Sequence, residues 1–536
     1  MKSRLPLLLP FSIFLFAFSF YIGVMLSKVL SAATQGVDAS IVEVEVDLSQ
    51  GMPTEQLVGL PDAAVKESMH RVRAAMTNAG YHWPYNKRLT INLAPADSRK
   101  EGPMYDLPIA LGIMAASEQM QTERLADYLF VGELALDGQL RPVKGVLLFA
   151  LLAKELKKRG IFVSPENAHE AAVVEGLEVY APRMLPEAAA ALNGLLKLET
   201  VKVDLAELFS RPGTDGLLDL ADVRGQEHVK RALTVAAAGG HNALLIGPPG
   251  SGKSMLAKRI PSILPPFTLR EALETTKIWS VAGKLTAQEP LKTRRPFRDP
   301  HHTTSYPGLV GGGVDPKPGE ISLAHNGVLF LDEFPEFDAK VKESLRQPME
   351  DRKITIARSS STCVFPANIM LVAAMNPCPC GHYGDPKKEC RCSEIQVQRY
   401  FSKLSGPLLD RIDLHVEVPH IPYDQLSSDR AGSSSVDVRA KVVAARVIQQ
   451  KRFAGTPTYS NAAMTERQQQ DHCQTDDEAD AMLKNAVDVL GFSARSYGRI
   501  LKVARTIADL EGAEKLSAAH VSEAIQYRNL DRYKGL

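Results

Sequence analysis

The stretch that most constrains this chain is a glycine-rich loop at residues 247–254, which reads GPPGSGKS. It has the spacing Gly-x4-Gly-Lys-Ser, follows the apolar run NALLI and precedes the helix-forming run MLAKRI. Such a loop turns its backbone N–H groups toward a phosphate, while its lysine reaches the β- and γ-phosphates and its serine can hold Mg²⁺. The sequence therefore predicts a P-loop between a strand and a helix. The residues expected to bind the nucleotide are Gly247, Pro248, Pro249, Gly250, Ser251, Gly252, Lys253 and Ser254.

An acidic pair, Asp332 and Glu333, follows the apolar run at residues 327–331. We expect this run to be a buried strand that carries the pair at its carboxyl end. Downstream of a P-loop, Asp332 is expected to hold Mg²⁺ through water, together with Ser254. Glu333 is expected to polarise the attacking water as general base. The two motifs together predict a site that hydrolyses a nucleoside triphosphate.

Two further residues could complete this site. Asn376 ends the predicted strand IMLVAAM, where it can orient the attacking water beside the γ-phosphate. Arg411 lies in the stretch SGPLLDRIDLHVEV. It could stabilise the transition state in a neighbouring subunit as an arginine finger. The alternative is an ion pair within the chain, with Asp410 or Asp413.

The last part of the chain, residues 437–536, is predicted to be helical and to form a lid. A serine-rich break at residues 427–435 separates it from the preceding part, and Ser517 is an expected N-cap. Arg495 lies early in one lid helix, where it could fold back on the nucleotide. Arg499, one helical turn further on, is the competing candidate.

The part before the P-loop, residues 25–200, alternates predicted strands and helices, and a Pro/Gly-rich linker follows at residues 210–216. It resembles the domain of Lon-type proteases in the stretches KEGP and VGELALDGQLRPVKG, whose Asp-Gly predicts a hairpin turn. The positions of that family's catalytic serine and lysine hold Met104 and Leu147. Neither side chain can act as nucleophile or base, so we do not expect peptidase activity.

The first 24 residues are strongly apolar, with Lys2 and Arg4 at the front. Three interpretations compete: a membrane anchor through residues 5–27, a signal peptide, or an over-extended start with translation beginning at Met25. We favour the third, because the downstream sequence looks cytosolic and the apolar stretch runs into folded-domain sequence with almost no linker. The expected location is cytoplasmic, with an inner-membrane anchor as the alternative.

The six cysteines do not form the framework of a secreted protein, since four of them lie in one short stretch. Two Cys-x-Cys pairs flank a turn rich in Gly, Pro and Asp, and four thiolates suit tetrahedral Zn²⁺. Free thiols and redox pairs remain open as alternatives. The candidate zinc ligands are Cys378, Cys380, Cys390 and Cys392.

The charge of the whole chain points to no partner, because 63 Lys and Arg residues balance 62 Asp and Glu residues. Any nucleic-acid surface must therefore be local. The segment at residues 292–306 combines four basic residues with Phe297 and Tyr306, as contact with single-stranded DNA requires. The alternative is a solvated loop, and we expect His301 and His302 to form hydrogen bonds rather than to bind a metal.

These motifs, in this order, resemble the ComM/YifB family of magnesium-chelatase-like AAA+ proteins. The resemblance rests also on QGVDA, GLPDAAVKES, YDLPIALG, GEISLAHNGVLFLDE and AAMNPCPCG. It implies an α/β fold: a Lon-protease-like α+β domain at residues 25–200, a P-loop AAA+ core with a parallel sheet at residues 217–424, and an all-α lid. In these terms Asn376 resembles a sensor-1 residue, and Arg495 resembles a sensor-2 arginine.

The resemblance also implies an activity. Members of this family look like hexameric motors that hydrolyse ATP with Mg²⁺ and promote branch migration while incoming DNA integrates during natural transformation. A chelatase-like or chaperone-like remodeller of a protein partner is the alternative. DNA and further copies of this chain are the expected partners. A membrane is an expected partner only if residues 1–24 are translated.

Overall fold

The computed structural model describes residues 25–96, 99–121, 123–210, 216–313, 316–357, 362–385, 388–421, 432–490 and 492–528. The predictions for residues 1–24, for the linker core at 211–215 and for part of the serine-rich break lie outside these ranges. Contacts between Cα atoms divide the chain into two compact units. Each unit is described separately below.

The region before the P-loop has the predicted mixture of strands and helices. Its first sheet has the order β1-β2-β4-β3, with β2 antiparallel and β3 parallel to β4. The elements are β1 (Met25–Gln35), β2 (Asp38–Ser49), β3 (Thr54–Val58), α1 (Ala63–Asn78), β4 (Arg88–Ala94), α2 (Asp106–Ala116), β5 (Tyr128–Phe130), β6 (Glu133–Leu134), β7 (Leu140–Arg141), α3 (Val146–Glu155), β8 (Gly160–Phe162), α4 (Ala168–Ala172), β9 (Glu178–Tyr180), α5 (Leu185–Leu192) and α6 (Leu205–Ser210).

The first unit contains Val42–Gln139 and Met184–Lys197, preceded by residues 25–31. Strand β2 alternates buried and half-buried residues, as its period-two sequence predicts. Helix α2 is buried along its whole length, and its Asp106 accepts a hydrogen bond from Arg71 Nε at 2.7 Å. The predicted Asp-Gly turn is confirmed, because Gly138 adopts a φ of +87° and donates its N–H to the carbonyl of Ala135.

The second unit contains Ala32–Ile41, Leu140–Arg183 and the chain from Leu198 onward. Beyond the linker, its elements up to the lid are α7 (Glu227–Gly239), β10 (Ala243–Ile246), α8 (Lys253–Ala257), α9 (Ile260–Ile263), α10 (Leu269–Val281), β11 (Phe297–Arg298), α11 (Tyr306–Val310), β12 (Gly311–Gly312), β13 (Lys317–Pro318), α12 (Glu320–Leu323), β14 (Val328–Leu331), α13 (Ala339–Ser344), α14 (Arg346–Asp351), β15 (Lys353–Ala357), β16 (Thr362–Pro366), β17 (Met370–Met375), α15 (Glu394–Phe401), α16 (Gly406–Leu409) and β18 (Leu414–Glu417).

The centre of this unit is a five-stranded sheet in the order β11-β14-β17-β10-β18, and the strand pairings described in it are parallel. Strands β10, β14 and β17 are buried at every position, because helices cover both faces of a parallel sheet. The carboxyl ends of these strands lie at one edge. The P-loop and the segments after β11, β14 and β17 all leave from that edge, where ligands bind in open α/β sheets.

The predicted helical lid is confirmed for the described residues. Its helices are α17 (Ser435–Arg452), α18 (Glu466–His472), α19 (Asp477–Leu490), α20 (Ala494–Glu511) and α21 (Ala518–Gln526), and Ser517 caps α21 as expected. Their apolar residues join the same hydrophobic core as β10 and α7. Within the described residues, the chain has no helix that combines the length and hydropathy of a membrane span.

A buried carboxylate connects three parts of the lid. Both oxygens of Asp509 accept hydrogen bonds from Arg452, at 2.5 and 2.7 Å. Arg505 Nε donates to the same carboxylate at 3.0 Å, and Asn461 donates at 2.7 Å. The Asp509 side chain is fully buried, so these donors replace all of its water.

We therefore expect Asp509→Ala to destabilise the lid by about 3–5 kcal/mol, because it leaves the buried Arg505 and the partly buried Arg452 without their counter-ion. Asp488→Ala, at an exposed position of α19, is the matched control and should change stability by less than about 0.5 kcal/mol. Thermal unfolding followed by circular dichroism measures both. Equal stability of the two variants would show that the network contributes nothing.

Candidate functional site

The P-loop takes the conformation that its glycines permit. Gly250 and Gly252 have φ values of +77° and +91°, which other residues rarely adopt. Gly247 has a different role, since a Cβ atom there would lie 2.1 Å from the carbonyl oxygen of Val418. Gly252 then caps helix α8, and Lys253 is its first residue. The loop thus has the strand–loop–helix form that the sequence predicts.

The Lys253 ammonium lies at the carboxyl ends of the central strands of the sheet. It donates to the carbonyl oxygens of Gly247 and Pro248 at 2.7 and 3.0 Å, and to Asn376 Oδ1 at 3.2 Å. Burial lowers the pKa of Lys253, although the charge of Asp332 opposes that shift. A buried ammonium held among oxygens is suited to bind phosphate. The contact also places Asn376, which follows the end of β17, beside the P-loop lysine.

The acidic pair meets the P-loop serine. Ser254 Oγ donates to Asp332 Oδ2 at 2.5 Å, so the two expected Mg²⁺ ligands lie side by side. Glu333 is exposed, and its carboxylate lies 3.1 Å from His302 Nδ1. His302 follows β11, the strand next to β14, which brings the two residues together. The expectation that His302 forms a polar contact within the chain is confirmed, and its partner is the predicted general base.

The edge opens into a cavity of about 770 Å³, within the size range of ligand pockets. Lys253, Asp332, Glu333 and Asn376 all line it. These four residues come from three separate segments of the sequence. They combine a cation, two carboxylates and an amide, which together can bind a phosphate with Mg²⁺ and direct a water molecule.

Arg411 does not point freely outward in the single chain. Its side chain is 4% exposed, forms an ion pair with Glu350 and donates to the carbonyl of Pro407 at 2.6 Å. The hydrogen bond from Arg411 lowers the pKa of Glu350. Of the two roles open for Arg411, the structure thus shows an ion pair within the chain, with a partner that the sequence did not indicate. A role in a neighbouring subunit stays a prediction.

The two candidate lid arginines differ clearly. Arg499 forms an ion pair with the buried Asp413, which also accepts from the backbone N–H of Asn242 at 2.9 Å. Burial opposes ionisation of Asp413, but Arg499 and His241 outweigh it, so the pKa of Asp413 lies well below its ordinary value. Arg495 is exposed and makes no hydrogen bond or ion pair with the described residues. Arg499 therefore has a structural partner, whereas Arg495 is available to a ligand.

The four clustered cysteines converge. The Sγ atoms of Cys378, Cys380, Cys390 and Cys392 all lie within 4.8 Å of one another, and none forms a disulfide. Backbone N–H groups of His382 and Arg391 lower the pKa of Cys380 to about 6, whereas desolvation and the sulfur atoms of Cys380 and Cys378 raise the pKa of Cys390 to about 12. Four cysteine sulfur atoms this close together match the ligand set of a tetrahedral metal site. The cluster can therefore hold a metal ion.

The basic segment after α10 is not a free surface. Lys292 pairs with Glu289 at 2.7 Å, Arg295 with the buried Glu271 at 2.8 Å, and Arg298 with Glu320. Phe297 stacks on Phe330, 6.1 Å between ring centres, in contact with the core. The hypothesis that these side chains contact DNA is thus not supported, because most of them are engaged within the chain. Tyr306 remains exposed.

The positions that replace the Lon dyad are core positions. Met104 is 8% exposed and Leu147 is fully buried. The backbone N–H of Leu147 donates to the carboxylate of Glu170 at 2.9 Å, and Ser280 donates to the same carboxylate at 2.5 Å. The side chains of Met104 and Leu147 are therefore part of the hydrophobic core.

Sequence reasoning missed a residue that supports the P-loop. Gln226 precedes α7 and donates from its amide to the carbonyls of Ser251 and Pro419, at 2.9 and 3.0 Å. Its backbone lies in the left-handed region at a φ of +55°. The Gly-Gln pair before a helix is the signal that could have drawn attention to it. The sequence contains no comparable signal for the pairing of His302 with Glu333, since that pairing depends on the order of strands in the sheet.

Comparisons with known proteins cover nearly the whole chain. Residues 44–167 match the family described as subunit ChlI of Mg-chelatase, residues 219–426 match magnesium chelatase, subunit ChlI, and residues 432–528 match its C-terminal family. The competence protein ComM of Haemophilus influenzae is 48% identical over 95% of this chain and 98% of its own length. The YifB protein of Salmonella typhimurium is 45% identical over the same shares. A shorter match, 26% identical over 40% of this chain and 28% of its own length, is the DNA replication licensing factor mcm5 of Dictyostelium discoideum.

The different surroundings of the two lid arginines give a test. We expect Arg499→Ala to lower the free energy of unfolding by about 3 kcal/mol, because the buried Asp413 loses its arginine counter-ion. Arg495→Ala, on the same helix, should leave stability within about 0.5 kcal/mol. It should lower the rate of ATP hydrolysis about tenfold or more if Arg495 contacts the phosphates. A stable Arg499→Ala protein, or an Arg495→Ala protein with unchanged hydrolysis, would contradict this assignment.

Proposed function

The chain belongs to the ComM/YifB family of magnesium-chelatase-like AAA+ proteins, and we propose that it is an ATP-driven ring motor acting on DNA. The observation that carries the ATPase part is the meeting of Lys253, Ser254, Asp332 and Asn376 at one edge of the parallel sheet. The arrangement matches the parts that nucleotide hydrolysis requires, in the positions where the P-loop places a triphosphate.

Each residue then has a role in hydrolysis. Lys253 would bind the β- and γ-phosphates, while Ser254 and Asp332 would hold Mg²⁺. The metal ion supplies neutralisation of the charge on the phosphates. Glu333 polarises the attacking water, and Asn376 orients that water toward the γ-phosphate. His302, 3.1 Å from the Glu333 carboxylate, fixes the direction in which this base points.

A ring would complete the site from the neighbouring subunit. Arg411 is our candidate for the group that stabilises the transition state in trans. In the single chain it is paired with Glu350, so subunit assembly would have to offer it a stronger anionic partner. The exposed Arg495 contributes from the lid. We propose a homo-hexamer, in line with the family resemblance.

DNA is the proposed substrate, and branch migration during the integration of incoming DNA is the proposed task. The names of two relatives support this: one is a competence protein and the other a DNA replication licensing factor. Lys292, Arg295 and Arg298 are paired within the chain, so they do not by themselves identify the proposed DNA surface. If DNA does not change the rate of ATP hydrolysis, the result would favour the alternative function, remodelling of a protein partner.

The proposal predicts that DNA stimulates ATP hydrolysis and that Lys253→Ala abolishes both hydrolysis and strand displacement, because the phosphates lose their lysine. Lys441→Ala, an exposed lysine of α17, is the matched control and should behave as the unaltered protein. Hydrolysis is measured by phosphate release with and without single-stranded and branched DNA. An ATPase that ignores every DNA would refute the DNA motor while leaving the ATP site intact.

We propose further that the cysteine cluster binds one Zn²⁺. A Zn–S distance of about 2.3 Å implies S···S distances of roughly 3.8 Å in a tetrahedron. The distances from Cys378 to Cys380, from Cys378 to Cys390 and from Cys380 to Cys390 are 3.3, 3.7 and 3.6 Å. These are near that value and well above the length of a disulfide bond.

Protein purified without chelators should therefore contain about one zinc per chain, measured by plasma mass spectrometry. Cys392→Ser should lose most of it, whereas Cys473→Ala, at the isolated cysteine of the lid, should keep it. Absence of stoichiometric zinc from the unaltered protein would refute the site.

A further inference from the structure

The loop that carries the cysteine cluster, which we call the cysteine loop (residues 377–385 and 388–393), lies against the P-loop. A Cβ atom on Gly381 would meet Pro249 Cδ at 2.5 Å and Cγ at 2.7 Å. Gly381 also has a φ of +82°, so its conformation and its close approach both require glycine. Gly381 directly follows Cys380, one of the proposed metal ligands. A metal in the cluster would therefore hold in place Gly381, the residue that contacts the P-loop.

A second contact fixes the same loop from its other side. Asp385 has a fully buried carboxylate that lies 3.1 Å from His382 Nδ1 and 3.5 Å from His420 Nε2. His420 follows β18, the strand beside the P-loop strand. The cysteine loop is therefore attached to the sheet edge and to the P-loop, rather than projecting away from the ATP site.

The cysteine loop also supplies a wall of the nucleotide cavity. Cys380, Arg391 and Cys392 line it together with Lys253 and Glu333. Arg391 lies between the ligands Cys390 and Cys392, and its backbone N–H donates to the sulfur of Cys380. The cluster thus fixes the backbone of Arg391. The Arg391 side chain is exposed and makes no hydrogen bond or ion pair with the described residues.

We propose that the metal-bound cysteine loop is part of the nucleotide site, and that it presents Arg391 to the phosphates of bound ATP. The inference rests on the proposed binding of ATP and zinc. It adds Arg391 to the ATP site and makes ATP affinity depend on the metal. The cations that line the cavity are Lys253, Arg391, Arg399 and Lys403, of which Lys403 is paired with Glu336. Arg391 is the one that the cysteine cluster positions, and a guanidinium binds phosphate oxygens in bidentate fashion. Without the metal, the four sulfur atoms no longer coordinate a common ion, and Arg391 loses its fixed position.

The experiment measures binding of a fluorescent ATP analogue to the full-length protein with Mg²⁺ and without DNA. Arg391→Ala should weaken binding about tenfold or more and leave the zinc content unchanged. The matched control is Lys388→Ala, an exposed basic residue of the same loop outside the cavity wall, which should bind as the unaltered protein does. Equal affinity of Arg391→Ala and Lys388→Ala would overturn the proposal.

Dependence on the metal is tested with Cys392→Ser. This variant should lose zinc and lose ATP affinity by about the same factor as Arg391→Ala. The double variant should be no weaker than either single one, because both changes remove the same contact. A zinc-free Cys392→Ser protein with full ATP affinity would overturn the role of the metal. If Cys392→Ser does not fold, as judged by circular dichroism, the comparison of Arg391→Ala with Lys388→Ala still decides the role of Arg391.

The outcome is separable from the DNA motor. A protein whose ATPase ignores DNA, but whose ATP affinity depends on Arg391, would refute the motor and support this inference. A protein that does not bind ATP even with Lys253 intact would refute both.

Discussion

The site depends on the parallel register of three strands. Strand β17 lies between β10 and β14, so the P-loop, Asn376 and the acidic pair leave the sheet at the same edge. That register brings Ser254 to Asp332 and Lys253 to Asn376, residues far apart in sequence. A polar cluster of this kind would be costly to bury in a core. At the open carboxyl edge it can exchange its internal partners for a phosphate and a metal ion, which is why the chemistry of the chain is concentrated there.

Motifs with a fixed local mechanism were predictable from the sequence. The P-loop, the strand before Asp332, the strand that ends before Asn376 and the Ser517 cap depend on glycine placement, apolar runs and side-chain capping, all of which act over a few residues. The helical lid was predictable for the same reason, since apolar residues recur at helical spacing. The packing of the lid helices on one another was not, because the buried Asp509 accepts hydrogen bonds from Arg452 and Asn461, which lie in other segments of the lid.

The ion-pair partners of the arginines were not predictable where the partner comes from elsewhere in the fold. The sequence neighbours of Arg411 suggested Asp410 or Asp413, but the ion pair that forms is with Glu350 of α14, while Asp413 binds Arg499. The basic cluster of residues 292–298 looked like a nucleic-acid surface for a related reason. Its acidic partners Glu271 and Glu320 lie outside the segment, so a local charge count could not include them.

The ion pair of Arg411 lies close to the charged residues of the lid. Glu350 lies close enough to Arg495 and Arg499 for both charges to lower its pKa, in addition to the hydrogen bond from Arg411. Arg411 is the partner that contacts Glu350, whereas Arg495 and Arg499 act on it only through their charge. Arg499 is at the same time paired with the buried Asp413. The carboxylates of Glu350 and Asp413 therefore link Arg411 electrostatically to the lid helix α20, which carries both lid arginines.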